Sequence, residues 1–305
     1  RLLQIASHKG SIRVRLVSTT HYTFVPAPYL VLSHCWGQVN PYCKTTEANF
    51  NAYFDSIPFQ TLLPTFAEAI VITHQLGLKY LWVDSLCIVQ NDSNDWEKEA
   101  AKMAGIFREA FLTTSASDSH NCYSGCGIQN VWEPSTVLHL RLEDREQTCW
   151  VRNSATADMS KLQFERSPLH KRGWIFQERL LSCRILHVLH GQLVWQCAAI
   201  METEDGLNHQ YFPHQPDDPN PQGWKYDGYL HPSQELQCLD SHWLASETAS
   251  RVHKMPQLWW DWVKDFTARQ FTKPSDNYAA LAGVVGLYRE LAKDEPLLGL
   301  CKKTI

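Results

Sequence analysis

The sequence predicts an α/β fold: a mostly parallel sheet flanked by helices, elaborated by a further β-rich and helical C-terminal part. Three observations predict it. The order strand, helix, helix, strand runs through residues 29–84, and a second helix–strand pair follows at 95–116. The apolar runs at 29–34 and 80–84 end in small and polar residues, as strands do when their ends line the edge of a sheet. After residue 135 the strand-like runs lie closer together and look antiparallel.

Taken in order, residues 2–5 and 12–17 read as two short strands, and 29–34 as a compact β-rich run leading into Cys35-Trp36-Gly37. A short helix is expected at 46–54. Pro64 and Gly77 bracket the next one at 65–76, because proline has no amide for the first turn to waste and glycine tolerates the left-handed turn beyond the last. Residues 80–84 form a buried strand. In the helix expected at 95–108, Trp96, Ala100, Met103 and Phe107 share one stripe, with Asn94 and Glu97 as a variant capping box. A strand at 111–116 and a Gly/Ser/Asn/Cys-rich loop at 117–127 follow. Strands are then expected at 135–142 and 148–152, a helix at 169–181, and strands at 184–189 and 193–196. The prolines between 211 and 232 mark an irregular excursion, and helices at 256–268 and 275–292 finish the chain. The expected division is N-terminal strands (1–28), a core (29–197) and a C-terminal extension (198–305).

Hydrophobic residues make up 44% and charged residues 20% of the 305, which excludes default disorder. A net charge of −4 gives no general reason to bind nucleic acid or an anionic membrane, and no apolar run is long enough for a membrane span. The first residue is Arg1, so a processed or trimmed chain is expected. The ten cysteines are scattered rather than framed, and Cys122 and Cys126 lack a second close pair at zinc-ligand spacing. Reduced thiols in a cytoplasmic protein, with no metal and no bound cofactor, are expected.

Four segments carry the candidate chemistry. Ser33-His34-Cys35-Trp36-Gly37 places polar groups at a strand end, with Trp36 able to stack on a ring and Gly37 able to let backbone approach a ligand; the plain alternative is a strand-end turn. In the segment from Trp82 to Gln90, Asp84, Ser85 and Gln90 share that kind of edge with Cys87 nearby. Asp84 is either a ribose or His34 partner or the cap of the following turn. Glu99 lies about 60° from Trp96 on a helical wheel, at the margin of the apolar stripe, where it either faces the sheet edge or pairs with Lys102. In the segment 169–182, Trp174, Gln177, Glu178 and Leu181 share a side, with Arg172 and Arg179 available for phosphate or for ion pairs. Mutual structural satisfaction of these buried polar groups is the bland reading.

These segments, in this order, resemble the heterokaryon-incompatibility (HET) domain family. The resemblance rests on 29–37 (Tyr-Leu-Val-Leu-Ser-His-Cys-Trp-Gly), on 63–66 with Ala69, Ile70, Leu76 and Gly77, on 80–88 with Gln90, on Asp95, Trp96, Glu99 and Met103, on 172–182 continuing to Cys197, and on Ser275-Asp276 through Gly283. Cys35 and Cys183 fall at variable positions, and Phe107 stands where the family usually has Tyr. The family is linked to cell death after fusion of unlike hyphae, a form of fungal innate immunity. Its core has been likened to Toll/interleukin-1 receptor (TIR) domains, which implies a TIR-like or flavodoxin-like sheet. Residues 29–37 resemble the first strand and loop of a TIR domain, and Trp96 with Glu99 resembles the helix whose Glu supports NAD⁺ cleavage in catalytic members.

The resemblance therefore implies hydrolysis of the nicotinamide–ribose bond. Nicotinamide leaves as a neutral group, so the protein must stabilise an oxocarbenium-like ribose. Glu99, His34 and Asp84 are the expected catalytic residues; Ser33, Trp36, Gly37, Ser85, Cys87, Gln90, Arg172 and Trp174 are the expected substrate contacts. The arrangement requires Glu99 to reach the cleft floored by 33–37. Two other classes stay open: a non-catalytic death-signalling module acting by homotypic assembly, and a biosynthetic enzyme using a His34/Cys87 or His34/Asp84 pair. The absence of GxGxxG and Walker loops argues against ordinary dehydrogenases and NTPases.

Overall fold

The computed structural model describes residues 1–8, 10–21, 24–37, 42–127, 136–142, 145–151, 167–189, 192–197, 200–204, 209–211, 255–292, 296–297 and 300–301. Its main sheet is built from β1 (Leu2–His8), β2 (Ser11–Val17), β3 (Tyr29–Ser33), β4 (Tyr80–Trp82), β5 (Leu112–Ser115), β8 (Arg184–Leu189), β9 (Gln192–Cys197), β10 (Ile200–Thr203) and β11 (His209–Tyr211). A separate antiparallel hairpin is formed by β6 (Thr136–Leu142) and β7 (Arg145–Val151). The helices that position the site are α1 (Phe50–Asp55), α2 (Pro64–Gln75), α3 (Asp84–Cys87), α4 (Ser93–Ala100), α5 (Met103–Glu109), α6 (Gly173–Leu181), α7 (Met255–Thr267) and α8 (Asp276–Ala292).

The strands lie in the order β11-β10-β9-β8-β5-β3-β4-β1-β2. The centre is parallel: β3 pairs with both β4 and β5, and β5 with β8. The flanking pairs are antiparallel. Strands β4 and β5 are buried along their whole length, as central parallel strands are when helices cover both faces of a sheet. The chain steps from β3 outward to β4 and then returns across β3 to β5. That reversal is a topological switch point, and open α/β sheets bind their ligands beyond the carboxyl ends of the strands that flank it.

Side chains alternate between the two faces of a strand, and this sorts the residues at the switch. On one face Trp82 packs edge-on to Phe107 of α5, and Ser33, Thr113 and Ser115 lie under α6. On the other, His34 meets the Phe66 ring of α2 edge-on at 5.1 Å. Behind α6, Phe176 and Leu180 bury Trp259, Trp262 and Tyr288 of α7 and α8. The start of α6 is clamped there: the Gly173 amide donates to the Gln270 carbonyl at 2.8 Å, and a Cβ at Gly173 would sit 1.9 Å from Phe271 Cζ.

Several expected elements are shorter or divided. The helix expected at 95–108 is two, because Lys102 N–H bonds the Glu99 carbonyl three residues back and tightens the turn between α4 and α5. Its cap is Asp92, whose carboxylate accepts from the amides of Asn94 and Asp95, in place of the expected Asn94/Glu97 box. The helix expected from 169 begins at Gly173, since turn bonds at His170 and Arg172 occupy the preceding stretch. Strand β4 stops at Trp82, and Asp84 opens the one-turn helix α3. The proline-bearing excursion lies outside the described residues except for Tyr211.

Candidate functional site

At the switch point the polar strand ends organise two adjoining clusters, one on each face. Under α6, the Ser33 hydroxyl donates to Glu178 Oε2 at 2.6 Å, and both residues are buried. Burial pushes the Glu178 carboxyl up to about 7; the Ser33 bond works against that rise, and the Asp84 charge adds to it. A cavity of about 20 Å³, enough for one ordered water, lies beside this pair. Its walls include Ser115, Ser117, His170 and His187. Burial drives both imidazoles down, His170 to about 2 and His187 to about 3, so each is neutral. His187 Nε2 lies 2.8 Å from Gln196 Oε1.

On the α2 side stands His34 with Asp84. Two donors fix the Asp84 carboxylate: the Trp36 indole N–H on Oδ2 at 2.8 Å and the Ser85 amide on Oδ1 at 2.6 Å. The side chain stays 29% exposed, so this carboxylate is both oriented and reachable. His34 Nε2 is 3.8 Å from Asp84 Oδ1, beyond hydrogen-bond reach. Burial lowers the His34 pKa more than the Asp84 charge raises it, which leaves the ring neutral. Arg172 ties the two clusters together, donating through Nη1 to the His34 carbonyl at 2.6 Å. Gln90 Nε2 braces the same edge by bonding the carbonyls of Asp84 and Ile88, each at 3.0 Å.

Residues 29–178 match the family model described as Heterokaryon incompatibility protein (HET). The match opens at the first residue of β3 and closes at Glu178, so it takes in the Ser33–Glu178 and His34–Asp84 pairs and leaves His187 and Gln196 outside. The chain carries a HET domain. No curated protein and no solved structure matches it.

Within the HET domain, Ser33, His34, Trp36, Asp84, Ser85, Gln90 and Arg172 all contribute to this edge. Gly37 stands beside it with φ +84°, and a Cβ there would lie 2.4 Å from Asn121 Cβ. Its freedom therefore admits the 117–127 loop. Glu99 is buried as its place on the wheel implies, but its Oε1 accepts from Lys102 Nζ at 2.8 Å. Beyond Lys102 its charge reaches Arg1 and Cys87, and the bonds that orient Asp84 and Ser33 do not involve it. Cys87 is fully buried in the main core, with its thiol pushed up to about 11 by burial, so it behaves as a small apolar residue. Trp174 packs edge-on to Trp96 and donates to Asp276 Oδ2 at 3.3 Å, which joins α6 to α4 and α8.

Glu178 stood in the fourth candidate segment but not among the expected catalytic or substrate-contact residues, and the hydroxyl-bearing strand β5 was in neither. The available sign was in Leu112-Thr-Thr-Ser115, where a fully buried strand carries three hydroxyls that need partners. Among the described residues no group of three or more His, Cys, Asp or Glu is placed to hold a metal, and no helix is long and apolar enough to cross a membrane.

Proposed function

We propose that this HET domain is a cytoplasmic effector of heterokaryon-incompatibility cell death, and that it acts through a small-molecule site at the carboxyl ends of β3 and β4, beside the switch point. The observation that carries the reading is the Asp84 carboxylate, fixed by two donors, partly exposed and facing a neutral His34 at the carboxyl edge of a parallel sheet. The order β4-β3-β5-β8 is that of the first four strands of a flavodoxin-like sheet, which supports a TIR-like core.

The substrate assigned is NAD⁺, cleaved at the nicotinamide–ribose bond. Such a reaction needs negative charge beside an oxocarbenium-like ribose and no general acid for the leaving group. Two carboxylates qualify: Glu99, by the TIR resemblance, and Asp84, by position. The geometry favours Asp84, because Lys102 already neutralises Glu99. Purified protein is incubated with NAD⁺, and nicotinamide release is followed for the parent, Asp84→Ala and Glu99→Gln, with thermal melts as the folding control. Release by the parent and by Glu99→Gln, lost in a folded Asp84→Ala, is the expected pattern. No release by the parent ends the NAD⁺ assignment, and loss only in Glu99→Gln returns the role to Glu99.

A non-catalytic reading has its own observation. Leu138 and Leu140 project from the same face of the β6–β7 hairpin and are 46% and 42% exposed, a surface suited to a second copy of the chain. On that reading Leu138→Lys with Leu140→Lys abolishes assembly and cell death together.

A further inference from the structure

Under α6, a hydroxyl and a carboxylate stand in the relation of nucleophile and base: Ser33 Oγ donates to Glu178 Oε2 at 2.6 Å. Both side chains line the half-open cavity of about 20 Å³. The other walls divide by chemistry. Leu169 and Ile175 are apolar and buried, and His170 and Arg179 bring donors. Arg179 Nη1 lies 3.2 Å from His170 Nδ1, and a guanidinium only donates. Nδ1 therefore accepts, and the neutral ring carries its proton on Nε2. Burial holds the Glu178 carboxyl up to about 7; the Asp84 charge adds to the rise, and the Ser33 bond and the charges of Arg172 and Arg269 oppose it. Near neutral pH both forms are present, so this group can take a proton and give it back.

We infer that Ser33 and Glu178 form a nucleophile–base pair that hydrolyses esters of short acyl groups, a second activity beside the one proposed at the Asp84 edge. Glu178 takes the hydroxyl proton as Ser33 Oγ bonds to the acyl carbon, and the ester C–O bond breaks. The alcohol leaves with the proton that Glu178 returns. A water then gives a proton to Glu178 and its hydroxide to the acyl carbon, and Ser33 departs with that proton. Ester and water become acid and alcohol, with no other reactant. Arg179 and the His170 ring are the donors in these walls for the carbonyl oxygen as it gains charge. That oxygen needs about the room of one water, which the cavity has. The rest of the ester is left with the open side, so acyl chains much longer than acetyl are excluded.

The full chain is incubated with p-nitrophenyl acetate, nitrophenolate release is followed, and acetylated peptides are located by mass spectrometry after an acid quench. Acetyl is expected on Ser33, at a rate that rises with pH to a plateau with its midpoint at about 7. p-Nitrophenyl hexanoate is expected to acylate Ser33 roughly tenfold more slowly or worse. Glu178→Gln keeps an acceptor for the Ser33 hydroxyl. It is expected to melt as a folded protein and to acetylate Ser33 roughly a hundredfold more slowly. No acetyl on Ser33 in the parent, equal acylation by the hexanoate, or the parental rate in a folded Glu178→Gln overturns the assignment. Should that variant not fold, the parent decides alone: a Ser33 acetylation rate that stays constant on passing through about pH 7 overturns it as well.

Discussion

Glu178 couples the site to pH. Its ordinary value of 4.5 is raised to about 7 by burial. Between those two values the native state holds a proton that the unfolded chain has released, so this group makes the protein less stable as pH rises through the window. Buried His170 and His187 act the other way: the unfolded chain takes up protons below about 6.5 and the native state does not, so their contribution is lost as pH falls. Comparing Glu178→Gln with the parent removes the histidines from the difference. The variant is expected to gain on the parent by roughly 1 kcal/mol or more between pH 5 and pH 8, read from urea midpoints. An unchanged difference would mean that Glu178 is ionised throughout. Ser33, His34 and Asp84 were legible because each ends an apolar run with a polar group. Glu178 was legible as a buried polar group but not its partner, because a mid-helix acid looks the same in sequence whichever buried donor it meets. For Glu99 the helical wheel conveys burial and leaves two neighbours open, the sheet edge or Lys102, and the structure has Lys102. That neighbour is set by the tightened turn at Lys102, which brings its ammonium onto the carboxylate.

At the level of elements, propensity and periodicity located most strands and helices, while their ends followed hydrogen bonds that periodicity does not encode. The α4 start is the clearest instance. Asn94 was the sequence candidate for the cap, yet Asp92 accepts from the amides of Asn94 and Asp95 at 2.9 and 3.3 Å. Asp92→Ala is therefore expected to cost about 1 kcal/mol in chemical denaturation, and Asn94→Ala clearly less. Equal losses would place the cap elsewhere. The Asp95 carboxylate, free of capping duty, accepts instead from Arg1 and from the Val89 amide, which draws the N-terminal residue onto α4. No local pattern foretells that pairing, because its partners are 94 positions apart.

Across the whole molecule, the family match ends at Glu178, but the structure around the site does not. Strand β8 completes the parallel centre, and α7 and α8 press on the outer side of α6, the helix that carries Glu178. Trp262 is 1% exposed in that contact, so Trp262→Ala is expected to lower stability by about 3–5 kcal/mol in a single cooperative transition. Two separate transitions, with only the first affected, would make the C-terminal helices an independent unit. The parallel order was foreseeable from the alternation of strands and helices. The antiparallel flanks β10 and β11 were not, since short polar strands carry little periodicity. The central claim is that the edge at the ends of β3 and β4 is where this HET domain acts. Its most direct test is the viability of cells induced to express the full chain, the Asp84→Ala chain or the Leu138→Lys/Leu140→Lys chain, each shown by melting to be folded. The account predicts death with the parent and the hairpin variant and survival with Asp84→Ala; killing by Asp84→Ala at the parental level would contradict it.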